Sequence, residues 1–242
     1  MGDFEHAEKA YKKAIELDPA NEKVKSALAL LSKQQNLKKI KELTTRAIEL
    51  QNSANYQEAI TTYLAAVSIE SNDASLFYNL GTAYQASGDL NNAKLQYEKA
   101  LELDKTNPTY INTLKLLSSQ LAEPFVNSAI NKQNQNDYAG AIADYQKALE
   151  YKPDDPQVCF NLATAYQANQ QFDESIQTYL KSVQLDPSGQ AEALFFLGTA
   201  YEEKKDNKAA IGSYQKYIQS APQGPYSKDA KERMEYLQKL KQ

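Results

Sequence analysis

The chain holds one histidine, His6, and one cysteine, Cys159, among its 242 residues. These two residue types most often supply a base near neutral pH, a nucleophile or a transition-metal ligand. One of each builds neither a disulfide framework nor a multi-cysteine metal site. His6 stands between Glu5 and Ala7 in a helical pattern and by itself makes neither a zinc site nor a triad. Cys159 sits inside an apolar helical stretch and reads as a small buried hydrophobe. Acid–base work would fall to Asp, Glu, Lys or Tyr, and no paired carboxylates stand apart from the periodic positions described below. There is no Gly-rich phosphate loop. The residues point away from an enzyme and call for no cofactor and no metal.

The charge balance narrows the partners. Lys and Arg total 27 against 31 Asp and Glu, a formal net charge of -4. A nucleic-acid binder needs a basic stripe to displace counterions, so no nucleic-acid partner is expected. The densest basic stretch, Lys38, Lys39, Lys41 and Arg46, is interrupted by Glu42 and apolar residues and reads as a solvated helix face. No run approaches the ~18 apolar residues of a membrane span, and the N-terminus has no signal-like core. Glycine and proline number 8 each. A chain so poor in helix breakers and rich in Ala, Leu, Lys, Glu and Gln favours helix.

The elements that position any site come from self-comparison. One pattern recurs: Tyr56-Ala59-Tyr63-Ala66, Leu90-Ala93-Tyr97-Ala100, Tyr138-Ala141-Tyr145-Ala148, Phe172-Ser175-Tyr179-Ser182 and Asn207-Ala210-Tyr214-Tyr217, with a further copy at Phe4-Ala7-Tyr11-Ala14. Steps of three and four put these residues on one helical face. Asn207 departs from the apolar first position. A second helix precedes each of the five complete copies, clearest at residues 77–84, 159–166 and 194–201 and more divergent from about Ile40 and Glu123. Units close on Asp18-Pro19, Lys152-Pro153, Asp186-Pro187 and Ala221-Pro222, or without proline on Glu70-Ser71 and Asp104-Lys105.

Leu80-Gly81-x-x-Tyr84, the later alanine, the aromatic, the second alanine and the closing proline together resemble the tetratricopeptide repeat (TPR) family over about four fifths of the chain. The resemblance implies an all-α fold, a superhelix of antiparallel helix pairs whose first helices line a concave groove. Gly81, Ala163 and Gly198 are then small where paired helices approach closely, and the tyrosines at 63, 97, 145, 179 and 214 are expected between one pair and the next. A single pair cannot bury both its faces, so stacking neighbours stabilise it.

The period breaks twice. Ala59 to Ala93 is 34 residues, but Ala7 to Ala59 is 52 and Ala93 to Ala141 is 48, each excess about one extra helix. The inserted stripes are Val24, Ala27, Leu28 and Leu31, then Ile111, Leu114, Leu117 and Leu121. A third such helix, with Tyr226, Ala230, Met234 and Leu237, ends the chain. Read as single capping helices, they divide the chain into a half repeat plus cap at 1–36, two repeats plus cap at 37–121 and three repeats plus cap at 122–242. The other reading is one continuous array of long repeat variants. No glycine or proline separates residues 20 and 52, so one helix can cross that border, whereas Pro124 favours a break at the second. Gly2-Asp3-Phe4 enters the repeat in its middle, so a fragment of a longer protein is expected. The compartment is not written in the residues: a cytoplasmic location is the simpler expectation, a periplasmic one follows if a signal has been removed.

In the resembled family the groove-facing positions of each first helix map onto Tyr78, Thr82 and Gln85; Phe160, Thr164 and Gln167; and Phe195, Thr199 and Glu202. Thr44, Ile48 and Gln51, then Val126, Ile130 and Gln133, are the equivalents in the weaker copies. Aromatics between threonines and amides suit an extended peptide or an amphipathic helix; alternatively Tyr78, Phe160 and Phe195 only pack between repeats. Asn79 and Asn161 match the asparagine of TPR domains that clamp chaperone tails, but the basic partners of that clamp are missing. Residues 221–230 are similar to the close of repeats in bacterial envelope-assembly TPR proteins. The expected partner is thus a protein or peptide, with a homo-oligomer through the exposed terminal helices as the alternative.

Overall fold

A computed structural model describes residues 2–240. Among them are twelve helices and no strand: α1 (Gly2–Leu17), α2 (Glu22–Asn52), α3 (Tyr56–Ile69), α4 (Ala74–Ala86), α5 (Leu90–Leu103), α6 (Pro108–Asn134), α7 (Tyr138–Tyr151), α8 (Pro156–Ala168), α9 (Phe172–Leu185), α10 (Ala191–Glu203), α11 (Asn207–Ser220) and α12 (Ser227–Lys239). The contacts divide the chain into two units, Met1–Leu117 and Ser118–Gln242. Each is an all-α array of antiparallel helix pairs.

The turn inside each pair has one construction. A single residue takes the left-handed conformation, with φ of 60° at Ala54, 87° at Gly88, 62° at Asn136, 61° at Gln170 and 60° at Lys205. That one reversal folds the second helix back onto the first, and only Gly88 adopts it without steric cost. An N-cap follows: Asp89, Asp137 and Asp206 each accept a backbone N–H three residues on with the side-chain carboxylate. Such caps satisfy amides that a helix start leaves unpaired.

Within a pair, the tyrosine of the second helix presses on the small residue of the first. A Cβ on Gly81 would stand 2.6 Å from Tyr97 Cε1, and one on Gly198 would stand 2.5 Å from Tyr214 Cε1. The tyrosines also reach the next pair, as expected: Tyr63 packs with Leu80 and Ala83, Tyr145 with Val158 and Leu162, and Tyr179 with Leu197 and Phe196. Tyr63, Tyr97, Tyr145, Tyr179 and Tyr214 are all buried. Burial pushes the Tyr145 phenol up to about 12 and raises those of Tyr97, Tyr179 and Tyr214 as well. Cys159 is fully buried, and burial likewise raises its thiol.

Two of the three expected extra helices are not separate elements. The stripe from Val24 to Leu31 is the first half of α2, and that from Ile111 to Leu121 belongs to α6. With no breaker between residues 20 and 52, α2 has nothing to stop it for 31 residues. Helix α6 runs through Pro124 for 27 residues. The borders expected at 36/37 and 121/122 fall inside α2 and α6, and the units divide between Leu117 and Ser118.

Later in each long helix, one face is polar where helices elsewhere present apolar side chains. Glu42, Thr45 and Glu49 are exposed on α2, and Asn127, Asn131 and Asn134 are exposed on α6. Only α12 is a separate closing helix. It buries Ser227, Ala230 and Leu237 against the preceding pair and turns Lys228, Lys231, Glu232 and Glu235 to solvent.

Candidate functional site

The residues expected to line a groove lie in register, and hydrogen bonds tie them together. In the N-terminal unit, Gln51 Nε2 donates to Thr82 Oγ1 at 3.4 Å. In the C-terminal unit, Gln133 Nε2 donates to Thr164 Oγ1 at 3.3 Å and Gln167 Nε2 to Thr199 Oγ1 at 2.9 Å. Gln133 and Gln167 also accept from the buried tyrosine of their own pair, Tyr145 and Tyr179, at 3.2 Å, and Gln85 Oε1 accepts from Tyr97 Oη at 2.7 Å. Thr82, Thr164 and Thr199 pass their own protons to the carbonyls of Asn79, Asn161 and Phe196, all at 2.7 Å. The result is a polar ladder, tyrosine to glutamine to the next threonine, complete at Gln133 and Gln167 in the C-terminal unit and present in part at Gln51 and Gln85 in the N-terminal one.

From the sequence these amides are suited to bond a ligand's backbone. The structure shows one donor and one acceptor of Gln133 and Gln167 already engaged. A glutamine has two N–H groups and two acceptor lone pairs, so each retains spare capacity. Position 202 departs from the pattern, and the structure supplies the reason. Glu202 accepts from Tyr214, and where the next repeat would bring a threonine, Arg233 of α12 reaches its two oxygens at 3.3 and 3.4 Å. Arg233 also pairs with Asp229 at 3.1 Å. An acid at 202 thus recruits the closing helix, a role that single-sequence spacing could have suggested only from an arginine 31 residues on.

The three aromatics are not equivalent. Tyr78 is half-buried, with its ring 5.4 Å from Tyr97 and 5.0 Å from Tyr110, and its hydroxyl stands 3.4 Å from Thr113 Oγ1. Phe160 is half-buried beside Tyr179 and Phe196. Phe195, expected on the groove surface, is 3% exposed. Tyr226, from the turn before α12, stacks on it at 4.5 Å and 9° between planes. That turn is clasped by Tyr217, whose hydroxyl accepts the Tyr226 N–H at 3.0 Å. Phe195 is therefore a core residue of the closing cap, which a pairwise alignment of repeats does not reveal.

The weaker copies contribute the most exposed apolar surface in this register. Ile48 is 44% exposed and Ile130 is 39% exposed, each one residue past a fully buried alanine, Ala47 and Ala129. Thr44 and Val126 are half-buried beside them.

The ladder is testable on stability. Gln167→Leu leaves the Tyr179 hydroxyl without its acceptor and Thr199 without its donor. A loss of about 1–3 kcal/mol is expected in urea unfolding, the usual result of orphaning buried polar groups. Gln167→Glu, which retains the acceptor for Tyr179, should lose less.

Among the described residues no group of three His, Cys, Asp or Glu is placed to hold a metal ion. No described helix is long and apolar enough to cross a membrane.

Comparison with known proteins agrees with the helix-pair register. Family models described as TPR repeat and tetratricopeptide repeat match residues 134–170 and 160–225, and a model of the CABIN1 N-terminal domain matches residues 1–123. A DnaJ homolog subfamily C member 3 homolog of Dictyostelium discoideum is 28% identical over 174 residues, 70% of this chain and 31% of that protein. The photosystem I assembly protein Ycf3 of Synechococcus sp. (strain CC9605) is 27% identical over 140 residues, 52% of this chain and 75% of that protein. The chain thus spans about a third of the Dictyostelium relative's length. Among solved structures, YrrB, a TPR protein with an unusual peptide-binding site, is 21% identical with a TM-score of 0.44, covering 92% of this chain and 98% of its own. The TPR2AB domain of yeast Sti1, in complex with pHSP90, is 20% identical with a TM-score of 0.47, covering 97% and 92%. With the repeat models matching through residues 134–225 and the same paired-helix construction in both units, the chain belongs to the tetratricopeptide repeat family.

Proposed function

We propose that the protein is a non-catalytic interaction scaffold that takes a peptide or helix of a partner protein along the first-helix faces of its repeats. Exposed Ile48 and Ile130 carry this reading. They stand at the register of Thr82 and Thr164, one in each unit, beside the amide ladder. Large aliphatic side chains next to unspent amide groups suit a ligand that inserts apolar side chains and offers backbone for hydrogen bonds. Tyr78, Thr82 and Gln85 are the nearby contacts in the N-terminal unit, and Phe160, Thr164 and Gln167 those in the C-terminal one. Thr199 lies further along the same ladder. Phe195 and Glu202 support it from beneath and at its end.

The relatives are consistent with such a role: one is an assembly protein by name, and the yeast Sti1 domain is in complex with pHSP90. The class of ligand here is argued from the exposed isoleucines.

Panning a random peptide library against the chain tests the proposal, with affinities of recovered peptides then measured on Ile48→Lys, Ile130→Lys and the double variant. Both sites are exposed, so helical content should stay unchanged while affinity falls at least about tenfold, or ~1.4 kcal/mol, at the affected unit. Peptides that bind the folded double variant as tightly as the wild type would place the binding surface elsewhere.

A further inference from the structure

The first helices of the complete pairs do not all start alike. Asp73 and Asp155 cap α4 and α8 by accepting backbone N–H groups with their carboxylates. Gln190 holds the same place before α10, and its side chain makes no such bond. Its Nε2 donates instead to Gln157 Oε1 at 3.4 Å, and Gln157 Nε2 donates to Asn161 Oδ1 at 3.0 Å. Gln190 is 9% exposed, yet its carbonyl oxygen accepts no hydrogen bond among the described residues. An amide oxygen so buried and so placed calls for a donor from outside the chain.

Gln190 lines a cavity of about 400 Å³ together with Gln157, Phe160, Glu192, Tyr217 and Pro225, all within the C-terminal unit. Glu192 is exposed and pairs with no cation among the described residues. It stands in the first turn of α10, where its charge offsets the positive end of the helix dipole. Phe160 is half-buried, packed on one side against Tyr179 and Phe196. The cavity thus combines a carboxylate, an unpaired amide oxygen and an aromatic ring.

The charges around it have one sign. Helix α8 carries no charged residue, and α10 carries only Glu192, Glu202 and Glu203. Asp186 accepts the N–H of Gly189, on the cavity wall, at 2.8 Å. The cations of this unit are engaged or placed elsewhere. Lys132 pairs with Asp144, Lys152 with Asp155 and Arg233 with Glu202 and Asp229. Lys181 donates to the Pro153 carbonyl, and Lys147 lies over the Phe125 ring. Lys204, Lys205 and Lys208 follow the opposite end of α10, and Lys216 lines a different cavity. On α12, Lys228 pairs with Glu232 at 3.8 Å and Lys231 is turned to solvent.

Resting on the reading that a peptide lies along these helices, we infer that the cavity seats an arginine side chain of that peptide, its guanidinium against Phe160 and bonded to Glu192 and Gln190. A guanidinium offers five donors and no acceptor, which matches a carboxylate beside an amide oxygen, and its plane stacks on an aromatic face.

Two synthetic heptapeptide libraries test this, random except for a fixed central arginine in one and citrulline, its neutral isostere, in the other. The immobilised full chain should retain the arginine library at least about tenfold better, and the preference should shrink as salt is raised. Glu192→Gln should bring the two libraries close to equal retention. Glu192 is exposed, so this variant should keep the wild-type circular dichroism spectrum. Equal retention of both libraries by the wild type overturns the inference, and so does a preference that folded Glu192→Gln keeps. Ile130→Ser, which adds no charge, separates this inference from the groove reading. If it weakens retention of both libraries while the wild type shows no arginine preference, the groove stands and the arginine site falls. If the preference depends on Glu192 while Ile130→Ser changes nothing, the arginine site stands and Ile130 is not part of the binding surface. Retention of neither library sinks both.

Discussion

Gly198→Leu is expected to lower stability by about 3 kcal/mol, read as a lower urea midpoint with helical structure intact before the transition. A Cβ at 198 alone would stand 2.5 Å from Tyr214 Cε1, 2.7 Å from Cδ1 and 2.8 Å from Cζ. The ring has nowhere to go. Tyr214 is 0% exposed, its hydroxyl is bonded to Glu202, and its ring packs 5.5 Å from that of Phe195. Shifting it would therefore break the link through Glu202 to Arg233 that holds α12. The control lies on the next helix: a Cβ at Gly212 meets nothing within 4 Å. Gly212→Ala should stabilise by about 0.5–1 kcal/mol, since alanine loses less backbone entropy in a helix than glycine. A wild-type midpoint for Gly198→Leu would mean that Tyr214 yields and that the seam is softer than its geometry indicates.

Phe195→Ala should lower stability by about 3–5 kcal/mol, as truncation of a buried phenylalanine usually does. Its ring is in contact with those of Phe196, Tyr214, Tyr217 and Tyr226. Removing it leaves a void between α10, α11 and the turn before α12. Phe160→Ala removes a half-buried ring and should lose about half as much. Thermal or urea unfolding of the two variants, each as a single substitution, decides the matter. Near-equal small losses would return Phe195 to the groove surface. A combined replacement of Tyr78, Phe160 and Phe195 would mix core and surface effects, which is why the binding test uses Ile48 and Ile130.

Local pattern accounts for much of this molecule. The spacing of alanine and tyrosine placed the second helices, the Leu-Gly-x-x-Tyr segment placed the first ones, and the closing residues placed the turns. The small positions at 81, 163 and 198 follow from the same pattern, as does the alignment of Gln51 and Gln133 with Gln85 and Gln167. These features are legible because each arises within about one turn of helix or one repeat, where neighbours in sequence are neighbours in space.

The misplacements have one origin. Phe160 and Phe195 occupy the same repeat position, yet only Phe195 is sealed, because Tyr226 arrives from 31 residues later and happens to stack on it. Gln167 and Glu202 also share a position. Which of them meets threonine and which meets arginine depends on whether another repeat or a cap follows. The tyrosines were legible as core between pairs, and the structure adds that they press on the small residue of their own pair too.

What the sequence by itself determined is the repeat: an all-α chain of paired helices, the residues on each face, and the absence of the usual histidine and cysteine combinations for catalysis or metal binding. What only the tertiary structure decided is who covers whom. Two extra stripes became halves of 31- and 27-residue helices. Helical periodicity is a property of a few consecutive residues, whereas burial belongs to residues far apart in the chain, and one missing turn is enough to change it.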